Sequence, residues 1–254
     1  MARHSHRLSL LSLLSKIVNV KLKQLVKAIL GGGVRRPHRI WTGAFKGLVL
    51  NLDALNATQK IVGLYERETY ASMRVLTAGI KTGIDIGLAE GEFAIYLLKL
   101  TGAKKVLAFE PNPENETVFL DNLRSNAIDA GDHLQVFKTY LGRRNEKGCS
   151  TLDSYVAELV EPIFVKMDVD GGEVDILLGS QNLLRMSRVR FLIETHSLEL
   201  EERCTELLRE HGFETKVIYN AWWRRFVKDQ RPIEHNRWLI GYKSSDMKIN
   251  WRCR

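Results

Sequence analysis

The stretch that decides the fold is Gly83-Ile84-Asp85-Ile86-Gly87-Leu88-Ala89-Glu90-Gly91. Its apolar run leads into closely spaced glycines, which is typical of a buried strand that ends in a tight turn. Residues 92–100 have helical spacing of apolar side chains, and a second apolar run ends on Glu110. A strand, a glycine turn, a helix and a strand that ends in an acid form the first half of a nucleoside-binding α/β unit. Glu110 could accept hydrogen bonds from two ribose hydroxyls.

The glycines and acids of this turn distinguish between two nucleoside cofactors. A dinucleotide turn has the pattern Gly-x-Gly-x-x-Gly and holds a pyrophosphate, but Ala89 stands where the middle glycine is needed. Asp85 and Glu90 would repel a pyrophosphate and attract a cation. S-adenosylmethionine carries a sulfonium and an ammonium, so we predict it as the cofactor. The residues predicted to bind it in and after the turn are Asp85, Gly87, Glu90, Gly91 and Glu110.

Length and composition indicate one α/β domain with extensions, because 254 residues with 44% hydrophobic content can enclose a full core. The three cysteines, Cys149, Cys204 and Cys253, lie far apart in the sequence. Neither a zinc site nor a disulfide framework is expected from that spacing. We predict a reducing, cytoplasmic location.

The net charge of +8 is unevenly distributed. Residues 1–47 contain ten Lys or Arg and no acid, and residues 216–254 contain ten basic and three acidic side chains. The segment between them therefore carries a net charge of −9. Basic ends favour an anionic partner such as a lipid surface, a nucleic acid or a phosphorylated substrate, or they are solvated tails.

The segment 8–30 is rich in Leu, Ile and Val, but four lysines interrupt it. Each charge at mid-bilayer would cost about 2.5–3.5 kcal/mol, which argues against a membrane span. Three glycines at 31–33 would end a helix. We predict a basic amphipathic helix that lies peripherally on an anionic membrane or packs on the protein itself.

Strands and helices are predicted to alternate through the rest of the chain. The strands are expected at 83–86, 105–109, 134–140, 163–168, 189–194, 214–219 and 237–243, with a further short strand at 48–52. The helices are expected at 57–75, 92–101, 114–125, 173–184 and 198–211. This order predicts an α/β, Rossmann-like, doubly wound, mostly parallel seven-stranded sheet with an antiparallel edge strand. Ligands bind such sheets at the carboxyl ends of the strands.

Five motifs in order resemble the FkbM-type family of Rossmann-like, S-adenosylmethionine-dependent methyltransferases, over about Lys81 to Ser197. The motifs are Asp85-Ile86-Gly87 with Gly91-Glu92-Phe93, Ala108-Phe109-Glu110-Pro111-Asn112, Ser150-Thr151-Leu152-Asp153, Lys166-Met167-Asp168-Val169-Asp170-Gly171-Gly172-Glu173, and Glu194-Thr195-His196. The chain departs from the family at Leu88-Ala89, where Ala-Asn is usual. It also has Asp170 where the family has Glu.

The resemblance implies O-methylation of a hydroxyl, often on a sugar or another small natural product. Its motifs add Asn112 and Asp168 to the predicted cofactor-binding residues. His196 is the preferred general base, because its ordinary pKa of about 6.5 suits proton transfer near neutrality. Asp170 and Glu173 are further base candidates. Three oxygen-bearing side chains, Asp168, Asp170 and Glu194, could bind Mg²⁺, but no metal is predicted.

Other functions and an approximate domain division also follow from the sequence. The basic ends leave open a nucleic-acid methyltransferase, which is the less favoured alternative, and the segment 8–30 leaves open a membrane-associated binding protein without catalysis. The domains are expected to be a helix and linker at 1–37, an extension at 38–80 packed on the core, and the methyltransferase domain at 81–254. The loops 141–160 and 220–236 would select the acceptor, and Trp222, Trp223, Arg224 and Arg225 are candidates to contact it.

Overall fold

A computed structural model describes residues 33–129, 131–225, 227 and 235–247. The helix predicted at 8–30 lies outside the described residues, as does most of the second half of the loop 220–236. Within the described part of the chain, no helix has the length and apolar content needed to cross a membrane.

The bounds of the elements agree closely with the sequence pattern in the central part of the chain. The strands are β1 (Arg35–Arg39), β2 (Val49–Asp53), β3 (Thr82–Ile86), β4 (Lys105–Phe109), β5 (Leu134–Phe137), β6 (Tyr140–Leu141), β7 (Cys149–Ser150), β8 (Ile163–Met167), β9 (Val189–Thr195), β10 (Glu214–Ile218) and β11 (Arg237–Tyr242). The α-helices are α1 (Thr58–Val62), α2 (Tyr70–Leu76), α3 (Glu92–Leu100), α4 (Pro113–Ser125), α5 (Glu173–Leu178), α6 (Gln181–Arg185) and α7 (Leu198–Glu210). Short 3₁₀ helices are present at Arg67–Thr69, Gly131–His133, Leu152–Glu158 and Trp222–Arg225.

The main sheet has seven strands in the order β10-β11-β9-β8-β3-β4-β5. Strands β5, β4, β3, β8 and β9 are parallel to one another, whereas β11 is antiparallel to both β9 and β10. This topology confirms the predicted fold class. The chain starts the sheet at β3, moves outward to β5 and then returns to β8, so the strand order reverses between β3 and β8. In open α/β sheets such a reversal creates a crevice at the strand ends.

Two hydrophobic clusters cover the two faces of the main sheet. One contains apolar residues of α3 and the N-terminal extension, including Leu97, Leu50 and Ile61, and the other contains residues of α5 and α7, including Ile176 and Leu208. The strands between them are buried on both sides, with all five residues of β3 and all five of β8 buried. Such continuous burial is what parallel strands with helices on both faces require.

The N-terminal extension packs directly on the main sheet domain. Strand β2 pairs with β1 in a separate antiparallel sheet, and two buried side chains of the α4 region hold it. Asn122 Oδ1 accepts a hydrogen bond from Asn51 N at 2.6 Å, and Asn126 exchanges two bonds with the backbone of Val49. Because these amides satisfy the backbone groups of β2, this edge of the small sheet can be buried without loss of hydrogen bonds.

Three predicted elements differ from the structure. The helix predicted at 57–75 is divided into α1 and α2, because Gly63 ends α1 in a left-handed conformation. The helix predicted at 173–184 is divided at Gly179 and Ser180. The strand predicted at 134–140 ends at Phe137, and Tyr140 pairs instead with Cys149 in a second small sheet. In each case the apolar spacing was correct and tertiary contacts set the bounds.

Candidate active site

A cavity of about 810 Å³ opens at the carboxyl ends of the central strands. The ends of β3, β4, β8 and β9 contribute Gly87, Glu110, Asp168 and Glu194 to its wall, as the sheet topology predicts. The N-terminal extension supplies a further part of the wall that the sequence did not indicate. Its lining residues include Lys60, Tyr65 and Glu66.

The glycine turn after β3 is held in an unusual backbone conformation. Gly87 has φ +84°, and a Cβ there would lie 1.9 Å from the carbonyl oxygen of Asp168, so no side chain fits. Ala89 also has a positive φ, +45°, which a non-glycine residue adopts only when the surroundings enforce it. Its amide donates to Glu110 Oε2 at 3.2 Å. The turn is therefore fixed to the acid that follows β4.

Glu110 is suitably placed for ribose hydroxyls. It is only 6% exposed and lines the cavity. Its Oε1 accepts a hydrogen bond from Asn112 N at 2.9 Å, in addition to the bond from Ala89. A carboxylate has about four acceptor positions, so two remain for a ligand. The Asn112 side chain caps α4 by accepting from Glu114 N at 2.9 Å, and Asn112 is not among the cavity-lining residues.

Glu90 lines the cavity but has internal cationic partners. Lys60 Nζ lies 2.5 Å from Glu90 Oε2 and 2.5 Å from Glu92 Oε1. Burial alone would lower the pKa of Lys60, but the charges of Glu92 and Glu90 raise it overall. Lys60 in turn lowers the pKa of Glu90. Lys60 thus neutralises part of the negative charge that was expected to attract a cofactor cation.

Asp85 and Gly91 belong to the glycine turn and its flanks but do not line the cavity. Asp85 is 1% exposed, and its Oδ2 accepts a hydrogen bond from Ala94 N at 2.9 Å, at the start of α3. Burial raises the pKa of Asp85 to about 8. A Cβ on Gly91 would lie 2.0 Å from the Phe119 ring, so glycine is needed here for packing. The structure thus gives both residues roles within the fold.

The side chains of Asp168, Asp170 and His196 lie close together, with a hydrogen bond between His196 and Asp168. His196 Nε2 lies 3.2 Å from Asp168 Oδ1 and 3.3 Å from Asp170 Oδ1. Burial alone would lower the pKa of His196, but the hydrogen bond and charge of Asp168 raise it overall. Both carboxylates line the cavity, whereas His196 does not. The acids therefore face the ligand space, and the imidazole can share a proton with them.

Glu173 lies away from the cavity. It is fully buried in the first turn of α5, and its Oε1 accepts from Gly171 N at 3.4 Å. Its charge acts on His196, where it contributes to raising the imidazole pKa. This placement gives Glu173 an indirect electrostatic influence and no contact with the ligand space.

A buried lysine supports the acids at the ends of β8 and β9. Lys166 is 2% exposed, and its Nζ lies 3.7 Å from Asp168 Oδ2 and 3.8 Å from Glu194 Oε2. One ligand atom each from Asp168, Glu194 and His196 lies within 4.8 Å of the others, a grouping that could hold a metal ion. The Lys166 ammonium already supplies positive charge to two of these three groups, which weakens any need for a metal cation there.

Sequence reasoning missed Glu66. This side chain is 2% exposed and lines the cavity from the connection between α1 and α2. Burial raises its pKa well above the usual range, Lys166 opposes that shift, and Glu194 and Asp168 add to it. An acid inside a predicted surface helix is ordinary, so only the left-handed φ of +46° at Glu66 distinguishes it, and that requires the structure.

The loop residues proposed to contact the acceptor are only partly described. Trp222 is 75% exposed, and the Arg224 guanidinium lies over the Trp223 ring at 4.6 Å. Arg224 also donates to Glu68 at 2.8 and 3.0 Å, which ties this loop to the N-terminal extension. The Arg225 side chain is outside the described part of the structure.

The strand order, the glycine turn and the acid after β4 define a Rossmann-like α/β fold. The model of the FkbM methyltransferase domain matches residues 135–215. This match covers 81 of the 254 residues and agrees, over that part of the chain, with the FkbM-type resemblance of the sequence motifs. Residues 135–215 are therefore similar in sequence to the FkbM methyltransferase domain.

Three solved structures similar to this chain are distant from it in sequence. A precorrin-6y C5,15-methyltransferase from Geobacter metallireducens is 16% identical, with a TM-score of 0.48 over 70% of this chain and 88% of that one. The methyltransferase FkbM from Methylobacillus flagellatus is 16% identical, with a TM-score of 0.46 over 90% of this chain and 60% of that one. A protein from Pyrococcus horikoshii described as a transferase is 11% identical, with a TM-score of 0.50 over 82% of this chain and 70% of that one, and it bears on the fold alone. No curated protein sequence matches the chain.

Proposed function

We propose that this protein is an S-adenosylmethionine-dependent O-methyltransferase that acts on a hydroxyl of a sugar or another small molecule. The observation that carries the proposal is the Asp168–His196–Asp170 group, whose two carboxylates line the same cavity as the glycine turn and Glu110. A nucleoside site and a proton-accepting group on one cavity are what methyl transfer to oxygen requires.

The residues at the turn fit the cofactor. Gly87 and Ala89 bring the backbone close to the ligand space, and Glu110 retains acceptor positions for ribose hydroxyls. The cofactor, when bound, supplies the methyl group. The protein's own contribution is to hold the acceptor oxygen in line with that group, which is a positioning task.

The acids at the ends of β8 and β9 provide the proton chemistry. A hydroxyl is a weak nucleophile until its proton is removed or shared, and a positioned base contributes about 10²–10⁴-fold to the rate. In the proposed reaction Asp168 or Asp170 accepts the hydroxyl proton, and His196 shares it through its Nε2 contacts. His196 thus contacts the two carboxylates and does not itself line the cavity.

The size and charge of the cavity support a small acceptor. Its volume of about 810 Å³ lies within the range of sites for small ligands and cofactors. Two basic side chains and seven acidic ones line it, namely Arg35, Lys60, Asp53, Glu66, Glu90, Glu110, Asp168, Asp170 and Glu194. This excess of acids favours neutral or cationic ligands over phosphate-rich ones.

Isothermal titration with S-adenosylhomocysteine tests the cofactor site. We expect saturable binding by the wild-type protein and a loss of at least about tenfold in affinity for Glu110→Ala, because two charge-assisted hydrogen bonds to the ribose are removed. Glu202→Ala on the exposed face of α7 is the matched control and should bind normally. Absence of binding by the folded wild type, or equal binding by Glu110→Ala, would contradict the assignment.

Incubation of the enzyme with S-adenosylmethionine and a metabolite extract tests the reaction. Mass spectrometry should find a product heavier than its precursor by one CH₂ group, and the added methyl should lie on oxygen.

A further inference from the structure

Glu66 is a buried acid that the proposed chemistry does not use. It is 2% exposed, and neither carboxylate oxygen has a hydrogen bond of ordinary geometry within the described structure. No ion pair of Glu66 with a described lysine or arginine is found, although the charge of Lys166 acts on it and opposes the rise of its pKa. A buried carboxylate without a partner is costly, and it is commonly kept because a ligand completes it.

The cavity-lining acids differ in whether they already have partners. Glu90 forms an ion pair with Lys60 at 2.5 Å, and Glu110 accepts hydrogen bonds from two backbone amides. Asp85, one of the acids predicted to bind the cofactor, instead accepts a hydrogen bond from Ala94 N at the start of α3. Glu66 is therefore the lining acid of this part of the wall that is left to bind a cationic group.

The position of Glu66 suits one end of the cofactor. Glu110 follows β4, and the acids that interact electrostatically with Glu66 follow β8 and β9. Strands β4 and β8 are separated by β3, so their ends lie about 10 Å apart. A cofactor whose ribose binds Glu110 would extend its amino-acid arm across Gly87 toward this side of the cavity.

We propose that the Glu66 carboxylate binds the α-ammonium of the cofactor's amino-acid arm. This inference rests on the proposed function and adds a recognition residue from outside the glycine motif. A neutral carboxyl, which burial favours while no partner is present, would ionise when the ammonium binds beside it. Glu66 also has a left-handed backbone, with a φ of +46°, which a non-glycine residue adopts only when its surroundings enforce it.

Two ligands that share the nucleoside and differ in the amino-acid arm test the proposal. S-adenosylhomocysteine carries the ammonium, and 5′-methylthioadenosine lacks the amino-acid group. Titrations use the full chain as wild type, Glu66→Gln, Glu66→Asp and the exposed control Glu202→Gln. We expect Glu66→Gln to lose at least about tenfold in affinity for S-adenosylhomocysteine and less than about twofold for 5′-methylthioadenosine. Glu66→Asp should recover part of the loss.

The outcomes separate this inference from the proposed function. If the wild type binds neither ligand, the cofactor assignment itself fails. If Glu66→Gln binds S-adenosylhomocysteine as tightly as wild type, the cofactor ammonium does not bind Glu66, and the inference is overturned. An equal loss for both ligands by a variant with wild-type unfolding temperature would also overturn it, since that result describes a general change of the cavity.

Discussion

Asp85 shows how a residue of the glycine motif can act within the fold. Its carboxyl is buried and accepts a hydrogen bond from Ala94 N, and burial raises its pKa to about 8, above the ordinary value of 3.8. The folded protein therefore holds a proton here at pH values where the unfolded chain has lost it. The stability contributed by this proton is fully present below pH 3.8 and is lost as the pH rises toward about 8.

Asp85→Asn removes this titration and keeps an oxygen acceptor for Ala94. We expect wild type to lose at least about 1 kcal/mol of unfolding free energy relative to Asp85→Asn between about pH 5 and about pH 8. Denaturant unfolding of both proteins across that range measures the difference. A pH-independent difference between the two proteins would show that Asp85 titrates normally.

At the residue scale, the sequence places a residue on the cavity where one motif determines one position. Gly87 and Glu110 lie where the motif places them because a strand end and a close backbone approach are local properties. Glu66 could not be predicted, because its role depends on a left-handed backbone and on strand ends about 100 residues downstream. The contact between Asp170 and His196 likewise depends on two strands that are adjacent only in the folded sheet.

The turn between β3 and α3 is an element whose geometry can be tested with a matched pair of glycines. Both Gly87 and Gly102 have positive φ, but a Cβ on Gly87 meets the Asp168 carbonyl at 1.9 Å, and a Cβ on Gly102 meets nothing within 4 Å. We expect Gly102→Ala to cost about 1 kcal/mol from backbone strain alone. Gly87→Ala should cost about 3 kcal/mol or more and abolish S-adenosylhomocysteine binding.

Thermal unfolding and titration calorimetry measure both effects. Similar losses of stability for Gly87→Ala and Gly102→Ala would mean that the turn can move away from β8 without penalty. That result would contradict the close packing described for the strand ends.

At the scale of elements, the sequence predicts the seven strands of the main sheet well and the helix bounds less well. Apolar runs such as β3 and β8 are fully buried, so their pattern is unambiguous. The helix predicted at 57–75 was wrong as a single element, since Gly63 ends α1 and the chain turns to place Tyr65 and Glu66 on the cavity. Apolar spacing alone does not reveal such a break, because both pieces face the same core.

The charge distribution of the whole molecule predicts peripheral binding to an anionic membrane. The basic segment 1–32 leads directly into a described surface with exposed Val34 and Trp41 and exposed arginines at 35, 36 and 39. Aromatic and basic side chains together favour the interface of an anionic bilayer. We therefore expect the full chain to sediment with vesicles rich in phosphatidylserine and not with phosphatidylcholine vesicles.

The matched variant replaces the lysines at 16, 21, 23 and 27 with alanine. It should lose most of the sedimentation, and added salt should weaken binding of the wild type. Equal binding to neutral vesicles, or an unchanged variant, would contradict an electrostatic membrane contact. Tight RNA binding with a steep salt dependence would instead favour the nucleic-acid alternative.

The ion pairs of Lys60 have a consequence for how the molecule folds. Lys60 belongs to the extension, and its two partners, Glu90 and Glu92, belong to the glycine turn and α3. If the extension unfolded alone, Glu90 and Glu92 would lose Lys60, their cationic partner. The extension and the sheet domain are therefore expected to unfold as one cooperative unit. A ligand in the cavity touches both segments, so its concentration enters their shared unfolding equilibrium. Saturation with such a ligand would therefore slow amide hydrogen exchange in α1 as well as in α3.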